Sequence, residues 1–437
     1  MSSKFEIIPF KIFLKLANNF SDELLELCQF FVHDSLDQER DTERLYARLI
    51  YASKLVEDLL DYHGARNNLS WYTYRELVAS VLNFASALFT MKHIVSRMEF
   101  YEIGQEDSFL TASYKVHKLL FDTLFQLCRR LLEEAQHLGL SIPAFALKRE
   151  RFSNLSSHQL LESDIADQNL LEERKNIVRI TTAYLNICKE FAALGFYKKF
   201  PLDELKSIIP LKANEEVLRR YEMAIHNLQS SYDTYVGRPT RGPGSQQLKC
   251  LRDHISIALH LLELGGRLSH FYERHIFDIG HNNFYRQIQS LIRELVDPDC
   301  LLDAIVNYAI FYCNEYLAKG KPVSQDLLNN YIERAEVTVG VPVKLGFHSR
   351  PCMLVAKIVQ HYGGKVEMVV GEDRFDASSI LELQWAGGKV HRENRSQVTF
   401  TGDARALADI QVLASINYGE DTMGKGISLP SELVYLK

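Results

Sequence analysis

Leu345-Gly346-Phe347-His348-Ser349-Arg350-Pro351 is the stretch whose reading decides the C-terminal fold. Before it, Val337, Val339, Val341 and Val343 alternate with Thr338, Gly340, Pro342 and Lys344, which is strand periodicity. After it, residues 352–361 read as a helix. Gly346 permits a sharp turn, Ser349 can cap the helix, and Pro351 suits its first turn. His348 thus stands beside the unpaired N–H groups of a helix N-terminus, which favour an anion. Neutral imidazole is a competent nucleophile near neutral pH, and Arg350 adds a fixed positive charge close by. These features read His348 as a phosphate-carrying histidine. A surface-turn histidine with an incidental arginine neighbour fits the local pattern equally well.

Working outward, residues 365–370 form a second strand after Gly363-Gly364, and 374–376 a third after the turn Gly371-Glu372-Asp373. Ser378 or Ser379 opens a short helix through Trp385, which Gly387-Gly388 ends. A strand at 397–401 and a helix at 403–417 follow. Pro342 has to sit at a sheet edge or bulge. The order β-α-β-β-α-β-α predicts an α+β open-faced sandwich, one antiparallel sheet with helices on one face.

Upstream, the chain reads as helix upon helix. In 71–101, Tyr74, Leu77, Val81, Phe84, Leu88, Met91, Val95 and Met98 recur at helical spacing. Leu45, Leu49, Ala52, Val56 and Leu59 do the same in 41–63, and Val116, Leu120, Leu127 and Leu131 in 108–138. Further helices are expected at 165–194, 246–275, 283–295, 299–318 and 324–333. Gly237-Arg238-Pro239-Thr240-Arg241-Gly242-Pro243-Gly244-Ser245 is a loop or linker, since its prolines and glycines cannot be helix interior. The expected organisation is an all-α bundle at 1–236, more helices at 246–333 in the same or a second helical domain, a sheet domain at 336–423 and a tail at 424–437.

A chain of 437 residues has room for several domains. Its net charge of −6 gives no basic footprint for nucleic acid. Seven scattered cysteines without a CxxC pair read as reduced thiols. No signal-peptide pattern opens the sequence, and no uninterrupted apolar run is long enough to span a membrane, so the expected compartment is the cytoplasm and no membrane insertion is expected.

Gly346-Phe347-His348-Ser349-Arg350-Pro351 resembles the active-site signature of HPr, the histidine phosphocarrier of the bacterial phosphotransferase system. Asp376-Ala377-Ser378-Ser379-Ile380-Leu381-Glu382-Leu383-Gln384 resembles that family's second helix, opened by a regulatory serine. Val398-Thr399-Phe400-Thr401-Gly402-Asp403 resembles its last strand and following turn. The resemblance covers about 336–421. It implies that His348 accepts a phosphoryl group from a phosphohistidine on an upstream donor enzyme, with Arg350 assisting. It makes Ser379 the regulatory position, against an ordinary N-cap role. Phe347, Lys357, Ile380, Leu381 and Trp385 become a docking face for partners. Ser378 and Glu382 depart from the family, standing where basic residues are common, and thin the positive face that an acidic partner would meet.

The expected function is therefore a phosphoryl carrier or relay, rather than a conventional enzyme, that regulates through the fused helical region or a downstream protein. Sequestering His348 against that helical region is one mechanism. The alternative is a scaffold whose HPr-like domain no longer accepts phosphate. Neither needs a metal or cofactor. Three other patterns stand out. Ser256, His260, Glu263, Arg267, His270 and Arg274 make a polar stripe, read as a phosphate-sensing or docking face or as a solvated helix face. Glu57, Asp58, Asp61 and His63 lie near Arg75 and Glu76 without the paired Glu-x-x-His that a di-metal bundle needs. Gly419 to Gly426 mimics a phosphate loop but lacks the hydroxyl residue after Lys425.

Overall fold

A computed structural model describes residues 6–33, 42–103, 107–144, 147, 170–237, 244–277, 283–421 and 423–436. The chain is mostly helical, with a small C-terminal antiparallel sheet. It divides into two compact units. One comprises Met1–Ala166, Phe191–His226 and Asp253–Leu317, the other Asp167–Glu190, Asn227–Arg252 and Ala318–Lys437.

In the first unit, α1 (Phe10–His33), α2 (Glu43–Tyr62), α3 (Tyr72–Met98) and α4 (Asp107–Leu138) pack on one another. The expected stripe of α3 is buried from Tyr74 to Met91 and again at Met98, and only Val95, 40% exposed, departs from it. Val78, Ala79, Ala85 and Ala87 are buried too, because α2 and α4 both cover this helix. By length and composition alone α3 is apolar enough to cross a membrane, but 61% of its most apolar window is buried inside the protein, as in the core helix of a bundle. It also carries buried Arg75 and Glu76. Arg75 Nε lies 2.8 Å from Asp61 and its Nη1 2.9 Å from Glu76, which in turn meets His275 at 2.7 Å. These charges survive burial because each is paired.

The later helices are α5 (Leu170–Ala192), α6 (Leu202–Ile208), α7 (Glu215–Tyr235), α8 (Ser245–Phe271), α9 (Asn283–Leu295), α10 (Pro298–Asp303) and α11 (Phe311–Tyr331). A π-helical stretch, Ala304–Ile310, joins α10 to α11, and Pro322 lies inside α11. The two helices expected at 299–318 and 324–333 are thus one continuous run. Residues 238–243 of the expected linker, and 165–169 of the expected fourth helix, lie outside the described residues.

In the second unit, β1 (Arg334–Gly340), α12 (Ser349–Tyr362), β2 (Val366–Val370), β3 (Asp373–Asp376), α13 (Ile380–Arg392), β4 (Gln397–Asp403) and α14 (Ala404–Ser415) follow the order read from the periodicity. Among the described residues the strands form one antiparallel sheet, β1-β4-β2-β3. Register sorts the side chains. Val339 faces Val398, and Phe400 lies between Val337 and Met368 on the covered face. One residue along, Thr338 and Thr399 share a hydroxyl contact of 3.0 Å on the exposed face. Period-two alternation turned one face to α12, α13 and α14, whose Val355, Ile358, Leu383 and Ile410 close the core. Each such fully buried aliphatic stabilises by roughly 1.5–3 kcal/mol.

Three expectations change here. β1 stops at Gly340, leaving Pro342 outside the strand and Val343 79% exposed. Gly387-Gly388 does not end α13, which continues to Arg392. A Cβ on Gly387 would stand 2.8 Å from Phe347 Cβ and 2.9 Å from its carbonyl oxygen, so this glycine lets α13 seat against the His348 turn. The tail is not peripheral. Leu433 and Leu436 are buried in the sheet-domain core, and Tyr435 stacks on His361 at 4.0 Å.

The second unit is more than the sheet domain, since it also takes helical segments upstream of residue 336. Leu185 of α5 and Leu328 of α11 make a small core with Ile332. Gln325 Nε2 donates to Gly363 O at 2.8 Å, and Lys365 N donates to Asn329 Oδ1 at 2.8 Å. These contacts fall at the C-terminal end of α12.

Candidate functional site

His348 is the N-cap residue of α12, extended at φ −84°, ψ −172°, and its side chain makes no capping hydrogen bond. Gly346 takes φ +58°, the left-handed turn its lack of Cβ allows. The cap is therefore His348 and not Ser349, whose Oγ accepts from Gln384 Nε2 at 3.2 Å. Pro351 lies in the first turn as expected, where no N–H is needed. Ser349 and Arg350 supply the first-turn N–H groups that a helix leaves unpaired.

What faces His348 within its unit is the segment after α14. His348 Nε2 lies 2.9 Å from Glu420 Oε1. Nε2 is itself buried and makes no hydrogen bond among the described residues. Arg350 Nη1 donates to the same Oε1 at 3.3 Å and to Gly424 O at 3.2 Å. The Glu420 side chain is 1% exposed, against 29% for His348 and 43% for Arg350. A buried carboxylate therefore occupies the point where imidazole and guanidinium converge at a helix N-terminus, which is where an anion belongs.

The backbone around Glu420 is built to hold it. Asn417, Tyr418 and Gly419 take φ of +51°, +57° and +74° in succession. Left-handed backbone is costly for tyrosine. It is offset by burial of the ring, which meets Phe347 edge-on at 5.2 Å, and by a hydroxyl donated to Gly340 O at 2.8 Å. A bridge between Glu420 and Gly426 closes the loop, and Lys344 Nζ donates to Met423 O at 2.9 Å.

Of the expected docking residues, Ile380, Leu381 and Trp385 are 41%, 55% and 60% exposed on α13. Phe347 is not on this surface. It is 5% exposed, packed between Phe400 and Tyr418. Lys357 is exposed but donates to Leu436 O at 3.1 Å, so the tail engages it. Ser379 is the N-cap of α13. Its Oγ accepts from Glu382 N at 3.3 Å while Glu382 Oε2 accepts from Asp376 N at 2.6 Å. Glu382, read from sequence as a lost positive charge, is a helix-start brace.

The contacts of α5 and α11 with the sheet domain lie near Gly363. Along the fourteen residues of α12 that is about 20 Å from His348. Within this unit the residue that meets His348 is Glu420, while Arg350 meets Glu420 and Gly424. Sequence reading missed Glu420. The available signal was the Asn-Tyr-Gly-Glu turn after the last helix, in the stretch set aside as a phosphate-loop mimic. Among the described residues no group of three or more His, Cys, Asp or Glu side chains could hold a metal ion. No family model matches the chain, and no curated protein and no solved structure matches it.

Proposed function

We propose that residues 336–421 are an HPr-like phosphocarrier domain in which His348 accepts a phosphoryl group. The donor is a phosphohistidine on an upstream phosphotransferase. Its P–N bond breaks as a new P–N bond forms to the His348 imidazole, and the donor histidine is released. Arg350 and the first-turn N–H groups of Ser349 and Arg350 offset the added charge. Glu420 has to leave first, because its carboxylate and a phosphoryl group repel and claim the same Arg350 guanidinium. The single observation that carries this reading is the convergence of His348 and Arg350 on one buried carboxylate at a helix start. Ile380, Leu381 and Trp385 form the apolar part of the donor's docking surface, and the relay acts on the helical region or a downstream regulatory protein.

The second reading is a scaffold in which Glu420 permanently replaces phosphate. Its near-complete burial favours that alternative. Incubation with phosphoenolpyruvate and the upstream phosphotransferase separates the two. The carrier reading expects acid-labile phosphate on the wild type and none on His348→Ala. Absence of label from both supports the scaffold.

A further inference from the structure

The first unit holds a cavity of about 490 Å³ that phosphoryl transfer at His348 does not use. That volume is within the range of small-molecule sites. Ser86 and Thr90 of α3, Arg219 and Glu222 of α7, and Arg267 and His270 of α8 line it. The polar stripe of α8 therefore does not face open solvent along its length. Two successive glycines, Gly265 and Gly266, stand mid-helix, where each costs about 1 kcal/mol against alanine. They have separate uses. A Cβ on Gly265 would stand 3.3 Å from Ala309 Cβ, so that glycine serves packing. Gly266 lines the cavity, and a Cβ there would point toward Glu222 Oε2 at 3.6 Å, so any longer side chain would enter the space.

The wall carries charges of both signs, Arg219 and Arg267 against Glu222 and Glu263. Glu215 is committed to Arg219 at 2.7 Å and to His270 Nδ1 at 2.9 Å. Glu263 is committed to His260 at 2.8 Å. Burial, with Glu263 nearby, raises the Glu222 carboxyl from its ordinary value, while Arg219 and Arg267 act against that rise. Arg267 makes no salt bridge among the described residues, and its side chain reaches the cavity. Glu222 likewise makes no salt bridge among the described residues, so the cavity presents one uncommitted guanidinium and one uncommitted carboxyl group. The guanidinium suits an anionic group of an occupant, and the carboxyl suits its hydroxyl groups. Ser86 Oγ already donates to Leu82 O, so toward an occupant it can accept, and Thr90 adds a second hydroxyl.

We propose that this cavity binds a small phosphorylated polyol, with Arg267 and Arg219 on the phosphate and Glu222, Ser86 and Thr90 on the hydroxyl groups. The volume exceeds what inorganic phosphate alone would fill.

Calorimetric titration of the full chain tests this, with glucose 6-phosphate, glucose and inorganic phosphate as the probes. Glucose 6-phosphate is expected to bind, inorganic phosphate more weakly, and glucose not at all. Arg267→Ala, at an exposed position, is expected to keep the wild-type melting temperature and to weaken glucose 6-phosphate by about tenfold or more, with Arg267→Lys between the two. Gly266→Leu should fill the cavity and abolish binding. His348→Ala should bind as the wild type does, which separates this site from the phosphoacceptor. Equal binding of glucose and glucose 6-phosphate, undiminished affinity in Arg267→Ala, or no binding by any probe would overturn the proposal. Phosphate binding as tightly as glucose 6-phosphate would overturn the hydroxyl contacts.

Discussion

At the residue scale, Glu420 is the contact that His348 and Arg350 share. Its carboxylate meets both the Arg350 guanidinium and the His348 imidazole, and it does so from a loop whose backbone is strained to present it. Glu420→Gln keeps the shape and removes the charge. Since Arg350 and His348 are partly solvated, its cost to stability should stay within about 1 kcal/mol by urea denaturation. The phosphorylation rate of His348 should rise several-fold, measured as acid-labile label against time. His93 carries a separate prediction. Burial, with His260 and Arg97 nearby, brings its imidazole down from 6.5 to about 4. Unfolding restores the ordinary value, so between 6.5 and about 4 the unfolded chain binds the extra proton. Stability should therefore fall as pH drops through that window, and His93→Gln should flatten the fall in a series of melting curves. Glu420 could not be found from sequence because its role depends on a contact far along the chain. His348, Arg350 and Pro351 could, because they act through one local turn.

At the element scale, α13 joins both halves of the candidate site. Ser379 caps it, Gln384 ties it to Ser349, and Gly387 seats it against Phe347. Ser379→Ala should cost about 1 kcal/mol by urea denaturation. A phosphoserine there would bring negative charge to a helix start, which favours it, while placing that charge beside exposed Ile380 and Leu381 and disturbing docking. Gly387→Ala should cost about 1–3 kcal/mol through the clash with Phe347, and should perturb the His348 ring resonances in NMR spectra. The glycine pair reads as a helix stop because local propensity is all that sequence offers there. Close approach of another backbone overrode that propensity. The strands were legible, since Val366, Met368 and Val370 alternate as a half-buried sheet requires. Phe347 was legible as apolar but not as core, because a turn residue has no period to fix its direction.

At the scale of the whole molecule, helix content and the order of the sheet domain were legible from the change of period near residue 336. The composition of the two units was not. Leu185, Leu328 and Ile332 carry ordinary helical patterns, and only the folded chain shows that they meet beside the end of α12. Leu328→Ala should cost about 2–5 kcal/mol, since the side chain is fully buried, and calorimetry should show the loss in the transition of the second unit. The central claim remains that His348 carries phosphate and that Glu420 restrains it. Its most direct test is time-resolved labelling of the full chain by phosphoenolpyruvate and the upstream phosphotransferase, with the modified residue located by mass spectrometry. The account predicts acid-labile phosphate on His348, faster in Glu420→Gln and absent in His348→Ala. No label on His348 in either the wild type or Glu420→Gln would contradict it.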